Sequence, residues 1–407
     1  MARIKRIAII GAGIGGLTTA IALRQRGFEV ELYEQAPLLT EVGAGLQVGP
    51  NAVKVYRTLG LEAELRAIAG EPINAISLNW TDGAVLSRAP MKAGMTAQFG
   101  APHLDVHRGD LLQLLAKPVP EKLVHLGKRC IATEQRPDGA AVRFADGSTI
   151  EADLVIGSDG IRSMVRENLF GPEAPRFTGL ECWRATLPVE KLTDRRFGAG
   201  GSEVFDTNDA VNWLGPPGRV VCYPICAGRV FNIFCGHVTT NWVEESWTIP
   251  STLSEVLEAY RGYHETLIKM FHAVDPALWF KWGVFDRDPL PRWTVGRVTL
   301  LGDAAHPMPP TLAQGAAMAV EDSFVLARAL DQHRDDPDAG LAAYEAERRP
   351  FTARAQLQAR EQFELNQSVP PKPRLSRDWM FANDVTRSGP ASVPARAEKA
   401  YDSGKEV

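Results

Sequence analysis

Arg6-Ile7-Ala8-Ile9-Ile10-Gly11-Ala12-Gly13-Ile14-Gly15-Gly16 is the stretch that decides how this chain folds. An isoleucine-rich run without polar alternation reads as a strand buried on both faces of a parallel sheet. Glycines then interrupt it at the spacing Gly-x-Gly-x-x-Gly. In that pattern Gly11 makes the tight turn, Gly13 lets a pyrophosphate approach the backbone, and Gly16 lets a helix pack on the strand. The helix is expected over residues 14–26, closed by Gly27 as a C-cap. Its N-terminal amides and dipole would face phosphates. A second strand, residues 29–33, delivers Glu34, which lies 34 − 16 = 18 residues past the last glycine. An acid there can accept hydrogen bonds from both hydroxyls of an adenosine ribose, and it would repel a 2′-phosphate. This unit binds the ADP half of FAD or NAD, and alone it does not say which.

Two more strand-to-turn segments lie far along the chain. Residues 151–157 read as a strand that turns at Asp159-Gly160 toward Arg162, Ser163 and Arg166. Residues 298–301 read as another, ending in Gly302-Asp303. A loop stiffened by Pro307, Pro309 and Pro310 follows, then a helix over residues 315–330. In this order and at these separations, the three segments resemble the single-domain aromatic hydroxylases that use FAD and NAD(P)H. That class is typified by para-hydroxybenzoate, salicylate and 3-hydroxybenzoate hydroxylases, and the resemblance runs from about Arg6 to about Arg349. No second Gly-x-Gly-x-x-Gly offers a separate nicotinamide fold, and no Cys-x-x-Cys follows the first helix as in disulfide reductases.

The resemblance implies an α/β fold: a Rossmann-like FAD-binding domain with an inserted antiparallel-sheet substrate domain and a C-terminal helical region. Residues 1–72, 103–178 and 287–335 would form the FAD-binding domain, and 73–102 with 179–286 the substrate domain. Residues 336–407 would form the helical region, interrupted at Arg348-Arg349-Pro350, and a tail that wraps over the domain or is loosely ordered. It also assigns cofactor contacts beyond Gly11, Gly13, Gly16 and Glu34. Asp303 would bond a ribityl hydroxyl, and the helix N-terminus at Gly315 would face the flavin N(1)–C(2)=O edge. Asp159 would serve the pyrophosphate and the nicotinamide cofactor, with Arg166 supplying charge at a phosphate; a plain helix cap explains Asp159 equally well. Arg108, heading an amphipathic helix, would reach the pyrophosphate or ribityl chain, its alternative being a solvated helix-start arginine. Gly43 and Gly45 would lie against the cofactor, ahead of a helix over residues 51–59 capped by Asn51. His306 belongs to the flavin-binding turn in this motif and is not expected over the substrate.

Between the second and third segments the texture changes to short alternating strands (204–206, 219–225, 230–237), parted by turns such as GPPG and CAG. Helices are expected near residues 253–263 and 265–274, and residues 73–89 should join the same layer. Tyr223-Pro224 matches a Tyr-Pro that places its tyrosine at the substrate in several relatives. Arg219, four residues earlier, shares its strand face and can pair with an aromatic carboxylate. Gln47 falls where one similar hydroxypyridine hydroxylase has a histidine. Tyr223, Arg219 and Gln47 are therefore the catalytic candidates, against core packing for the tyrosine and solvation for the arginine. No histidine stands at Thr311 or Arg219, unlike some relatives, so substrate and general base stay open.

Net charge of −4 and a pI near 6.1 leave no electrostatic footprint for nucleic acid or an anionic membrane. The five cysteines read as reduced, buried thiols, Cys222 and Cys226 on one strand, and no metal site is expected. A cytoplasmic enzyme is the expectation, with a homodimer left open. It would hold FAD tightly without a covalent bond and take NADH or NADPH transiently. With dioxygen it would hydroxylate a hydroxybenzoate- or hydroxypyridine-like substrate through a flavin C4a-hydroperoxide. Alternatives are an FAD-dependent epoxidase or oxidase acting on a non-aromatic compound, and an NAD-dependent Rossmann dehydrogenase.

Overall fold

The computed structural model describes residues 4–39, 45–192, 196–199, 202–216, 218–240, 249–368 and 375–387. The first strand, Arg6–Ile10, is buried at four of its five positions, as its unbroken apolar run requires. It lies inside a six-stranded sheet, between Leu154–Gly157 and Glu29–Tyr33, both parallel to it. Val298–Leu300 extends the sheet on one side and Val124–His125 on the other. Helices Ile14–Gln25 and Gly315–Gln332 pack together, Thr19 Oγ1 donating to Ser323 Oγ at 2.9 Å. A three-stranded antiparallel sheet spans residues 130–152.

The second large layer is an eight-stranded sheet that draws strands from residues 74–90 and 176–286. Asn74–Asn79 and Val85–Pro90 join its edge, as expected of residues 73–89. Its centre is the antiparallel set Arg176–Pro188, Val230–Val238 and Gly218–Ile225. Alternation gives this sheet two unlike faces. Trp183, Val220, Cys222, Ile233 and Cys235 point one way, into a core capped by helices Leu253–Ala259 and Glu265–Ala273. Arg184, Arg219, Val221, Tyr223, Asn232 and Phe234 point the other way, toward the first sheet. The GPPG turn includes Pro217, and the loop glycine Gly43 lies in residues 40–44; both fall outside the described residues.

Four local expectations are corrected. Asn51 does not cap its helix: Gly49 is the N-cap of Pro50–Thr58, and Asn51 Nδ2 donates to Gln314 Oε1 at 3.2 Å and Glu321 Oε1 at 3.1 Å. Residues 151–157 are not one strand. The chain leaves the three-stranded sheet at Ala152, enters the parallel sheet at Leu154, and turns at Asp153, whose carboxylate accepts the Lys5 and Arg6 amides. Cys226 lies past its strand, in a turn with φ of 52°. Pro350 does not interrupt its helix, which runs from Pro337 to Asn366. The lost Pro350 amide is outweighed by tertiary anchoring: the buried Arg348 bonds Glu321 at 2.8 Å and Asp322 at 2.7 Å. In the tail, Asp378–Ala382 is a docked helix, with Lys54 Nζ donating to the Phe381 carbonyl at 3.0 Å.

Candidate active site

Where the C-terminal ends of the parallel strands meet the polar face of the eight-stranded sheet lies a cleft of about 750 Å³. Of the residues singled out from sequence, Gly11, Gly13, Glu34, Gln47, Arg108, Asp159, Arg219, Tyr223, Asp303 and Gly315 line it, whereas Gly16 does not.

One end of the cleft is built from the glycine turn. Gly11 sits at φ +102°, and a Cβ there would meet the Ser158 carbonyl oxygen at 2.4 Å. A Cβ on Gly16 would lie 2.0 Å from the Gly11 carbonyl oxygen, so this glycine closes the helix onto the turn. Gly13 differs: a Cβ would meet nothing within 4 Å, because the position faces the open cleft. The helix that starts there has no side-chain cap and no acid in its first turn, so its amides are available to an anion. Glu34 Oε2 accepts the Ala12 amide at 2.8 Å and Oε1 the Ala36 amide at 2.8 Å, which fixes the carboxylate beside the turn.

Asp303 also lines the cleft. The surrounding protein pushes its carboxyl above the usual range by desolvation, against the pull of His306 and Arg108. The helix at Gly315 likewise lacks a side-chain cap and a first-turn acid. Asp159 spends its carboxylate locally, on the Ser163 hydroxyl at 2.5 Å and the Met164 amide at 2.8 Å, while still lining the cleft. Arg166 is corrected: it is buried away from the cleft, paired with Glu173 at 2.7 Å. His306 is a strut, its Nε2 2.5 Å from Asp322 Oδ2, and Arg348 holds the other oxygen of that carboxylate. Burial opposes ionisation of Asp322, yet His306 and Arg348 hold it below the usual carboxylate range.

The roof supplies the remaining chemistry. Burial lowers the Arg219 guanidinium to about 10, and burial together with Asp105 pushes the Tyr223 phenol well up. Tyr223 is therefore neutral and able to donate at neutral pH. Asn232, its cross-strand partner, accepts the Gly45 amide at 2.8 Å and ties the roof to the Gly45–Val48 strand that carries Gln47. Sequence reading missed Asn232 and Arg184, whose guanidinium lies 5.6 Å from the Trp282 ring centre. The available signal was an arginine inside the apolar run Cys182-Trp183-Arg184-Ala185, on a strand with one polar face. Among the described residues no cluster of three His, Cys, Asp or Glu could hold a metal, and no helix is long and apolar enough to cross a membrane.

Known proteins align with this arrangement over most of its length. A family model described as FAD binding domain matches residues 5–359. A 6-hydroxynicotinate 3-monooxygenase of Pseudomonas fluorescens is 36% identical over 389 residues, covering 95% of this chain and 96% of the relative. A 3-amino-4-hydroxybenzoate 2-monooxygenase of Streptomyces platensis is 36% identical, covering 91% of each. Among solved structures, Klebsiella pneumoniae HpxO complexed with FAD and uric acid superposes with a TM-score of 0.80 at 28% identity, covering 89% of each chain.

Proposed function

The chain belongs to the FAD binding domain family and is an FAD-dependent aromatic monooxygenase, and we propose that its substrate is a small hydroxylated aromatic or pyridine acid seated under Tyr223. The observation that carries this reading is the cleft itself, with an anion-binding glycine turn at one end and a roof of Arg184, Arg219, Tyr223 and Asn232. The 6-hydroxynicotinate and 3-amino-4-hydroxybenzoate named for the relatives are each a carboxylated ring bearing a hydroxyl.

The residues fit the cofactor. Gly13 and the amides of the first helix would take the pyrophosphate, and Glu34 the adenosine ribose. Asp303 and Arg108 would hold the ribityl chain, and the uncapped helix at Gly315 would place positive potential beside the ring. Bound there, FAD supplies the activation of dioxygen, with electrons from NADH or NADPH. The chain's own groups do the rest. Arg219 or Arg184 pairs the substrate carboxylate, which fixes the ring in the plane below the roof. Tyr223, neutral, accepts a hydrogen bond from the ring hydroxyl at its Oη, which raises electron density at the positions ortho and para to that hydroxyl. Val221, Phe234 and Trp282 line the same face and keep water from the reacting carbon.

The test is a panel of 3-hydroxybenzoate, salicylate and 6-hydroxynicotinate, assayed for stimulated NADH and NADPH oxidation with identification of the products. Hydroxylated product from at least one member is expected. Oxidation with no hydroxylated product from any of them would favour an epoxidase or oxidase acting on a non-aromatic compound.

A further inference from the structure

Between Asp303 and the helix at Gly315 the cleft wall is a loop, and one of its residues holds a backbone conformation that its side chain disfavours. Ala313 sits at φ 53° and ψ 45°, in the left-handed region, directly after the short helical turn Pro310–Leu312. The Cβ of an L-residue crowds the following carbonyl oxygen there, which is why glycine usually takes such positions. Two other described non-glycine residues have positive φ, Cys226 and Ala227, and neither lines the cleft. Ala313 does. Strain of this kind persists only where the surroundings enforce it.

The enforcing contact comes from the docked tail. Arg377 Nη1 donates to the Leu312 carbonyl at 3.0 Å, on the peptide that leads into Ala313. Burial lowers this guanidinium to about 10, while Asp105 and Asp378 favour its charge, so it is a cationic donor at neutral pH. Its own place is fixed. The guanidinium carbon lies 4.8 Å from the Phe381 ring centre. On either side of Arg377 the tail is tied to one side chain of the long helix: Gln358 donates to the Ser376 carbonyl and accepts from the Trp379 indole, both at 2.8 Å. Other bonds hold the loop on each side of this peptide. Gln356 donates to the Pro307 carbonyl at 3.0 Å and Thr311 to the Ala359 carbonyl at 2.6 Å. Asn51 donates to Gln314, whose own Nε2 turns back to the Ala313 carbonyl at 3.2 Å.

We propose that Arg377 is a positioning residue for the flavin ring: through the Leu312 carbonyl it keeps Ala313 left-handed, and so sets the amides at the head of the Gly315 helix against the ring. The proposal deepens the reading of that helix given above and rests on it. Ala313 and Gly315, on either side of Gln314, both line the cleft. The Gln314 amide belongs to the peptide that follows Ala313, so a return of Ala313 to ordinary backbone angles would turn that amide and the chain leading into the helix. Reduced flavin carries a negative charge that the oxidised ring lacks. Amides and a helix N-terminus set beside it therefore favour the reduced form more than the oxidised one. The tail thereby controls both how tightly the cofactor is held and how readily it takes up electrons.

The experiment introduces Arg377→Gln into the full chain, alone and together with Ala313→Gly, which removes the strain from the left-handed angle. FAD Kd is read by fluorescence quenching, and the midpoint potential of the bound flavin by reduction against reference dyes. Alone, Arg377→Gln should raise Kd about tenfold and lower the potential by about 30 mV, the equivalent of a further tenfold loss of affinity for reduced over oxidised flavin. In the Ala313→Gly background the same substitution should change Kd by less than about threefold and the potential by less than about 15 mV. Arg377→Lys, which keeps a cationic donor, should recover most of both. Unchanged Kd and potential in folded Arg377→Gln would overturn the proposal. So would equal effects in the two backgrounds, which would make Arg377 a general brace of the fold. Should Arg377→Gln fail to fold, Ala313→Gly alone decides. Release of a held strain should raise the urea midpoint of the flavin-free protein, and a lower midpoint would overturn the proposal. Gly315→Ala tests the site reading separately, because the nearest group its methyl would meet beyond its own turn is the Asp303 carboxylate at 3.8 Å. If it leaves FAD Kd and potential as in wild type, the helix does not face the ring; if it shifts them while Arg377→Gln does not, only the role of Arg377 fails.

Discussion

Alanine at Gly13 and alanine at Gly16 should fail in opposite ways, although both alter the same glycine turn. At Gly16 the added methyl would sit 2.0 Å from the Gly11 carbonyl oxygen and 2.9 Å from Ser158 Oγ. That oxygen is itself held by the Ser158 hydroxyl at 2.9 Å, so it cannot step aside cheaply. Overpacking of this kind costs about 1–3 kcal/mol. Alanine in a helix returns roughly 1 kcal/mol, leaving a net loss of up to about 2 kcal/mol from the apoprotein. At Gly13 the methyl meets no protein atom within 4 Å, and φ of −72° suits any residue. The apoprotein should lose only the preference for glycine over alanine at an N-cap, roughly 0.5–1 kcal/mol. What the methyl would meet is the pyrophosphate. Losing one charge-assisted amide contact at about 1.5–3 kcal/mol corresponds to a rise in FAD Kd of about 10- to 150-fold. Urea unfolding of flavin-free protein gives the first quantity and titration with FAD, followed by fluorescence quenching, the second. A Gly13→Ala protein that binds FAD as tightly as wild type would show that the pyrophosphate does not lie against this turn.

Asp303→Ala should weaken FAD binding by a similar factor, about 10- to 150-fold, and a variant that purifies with full flavin would remove this aspartate from the ribityl assignment. Tyr223→Phe should leave flavin content unchanged and lower the ratio of hydroxylated product to NADH consumed, hydroxylation slowing by up to about 10²–10⁴-fold; an unchanged ratio and rate would return the tyrosine to a packing role. Asp322→Asn breaks a buried pair and should cost about 3–5 kcal/mol at neutral pH. Because the folded Asp322 carboxyl lies below its unfolded value, its contribution is complete above about pH 4 and fades as the pH falls through the folded pKa. Unfolding midpoints of wild type and variant should therefore converge below that pH, and a gap that stays constant from pH 7 to 3 would contradict this account.

The cofactor end of the cleft was legible because its chemistry is encoded in short spacings. A strand, three glycines, a helix and an acid 18 residues on admit few arrangements, and the structure draws Gly11, Gly13 and Glu34 to one wall. The roof was legible for a related reason: a period of two placed Arg219 and Tyr223 on one face once their strand was recognised. What escaped depends on partners distant in sequence. Asn51 follows a glycine and a proline at a helix start, where a local rule assigns a cap, but Gln314 and Glu321 lie more than 260 residues away and take its side chain. Arg166 keeps the motif spacing yet finds Glu173 rather than a phosphate. Pro350 signals a break that a buried Arg348 overrides.

The division between what recognises the cofactor and what recognises the substrate follows from how the large sheet is anchored. Its register is set on the outer face, where Trp183, Cys222 and Ile233 fill a core that never touches the cleft. A slip of one residue would carry that apolar set into the cleft and turn Arg219 and Tyr223 outward, so the outer core holds the inner face in place. The inner face then carries mixed chemistry, as the set Arg184, Asn232 and Phe234 illustrates. Gly11 and Gly16 in the cofactor wall have no freedom to vary, since a Cβ on either would come within 2.0–2.4 Å of a backbone oxygen. The Gly45 amide bonded to Asn232 at 2.8 Å ties the two parts together, on the strand that also carries Gln47. A change of substrate would thus be reached by replacing side chains on the roof strands, while changes in the glycine turn would cost flavin affinity at Gly13 and the fold at Gly16.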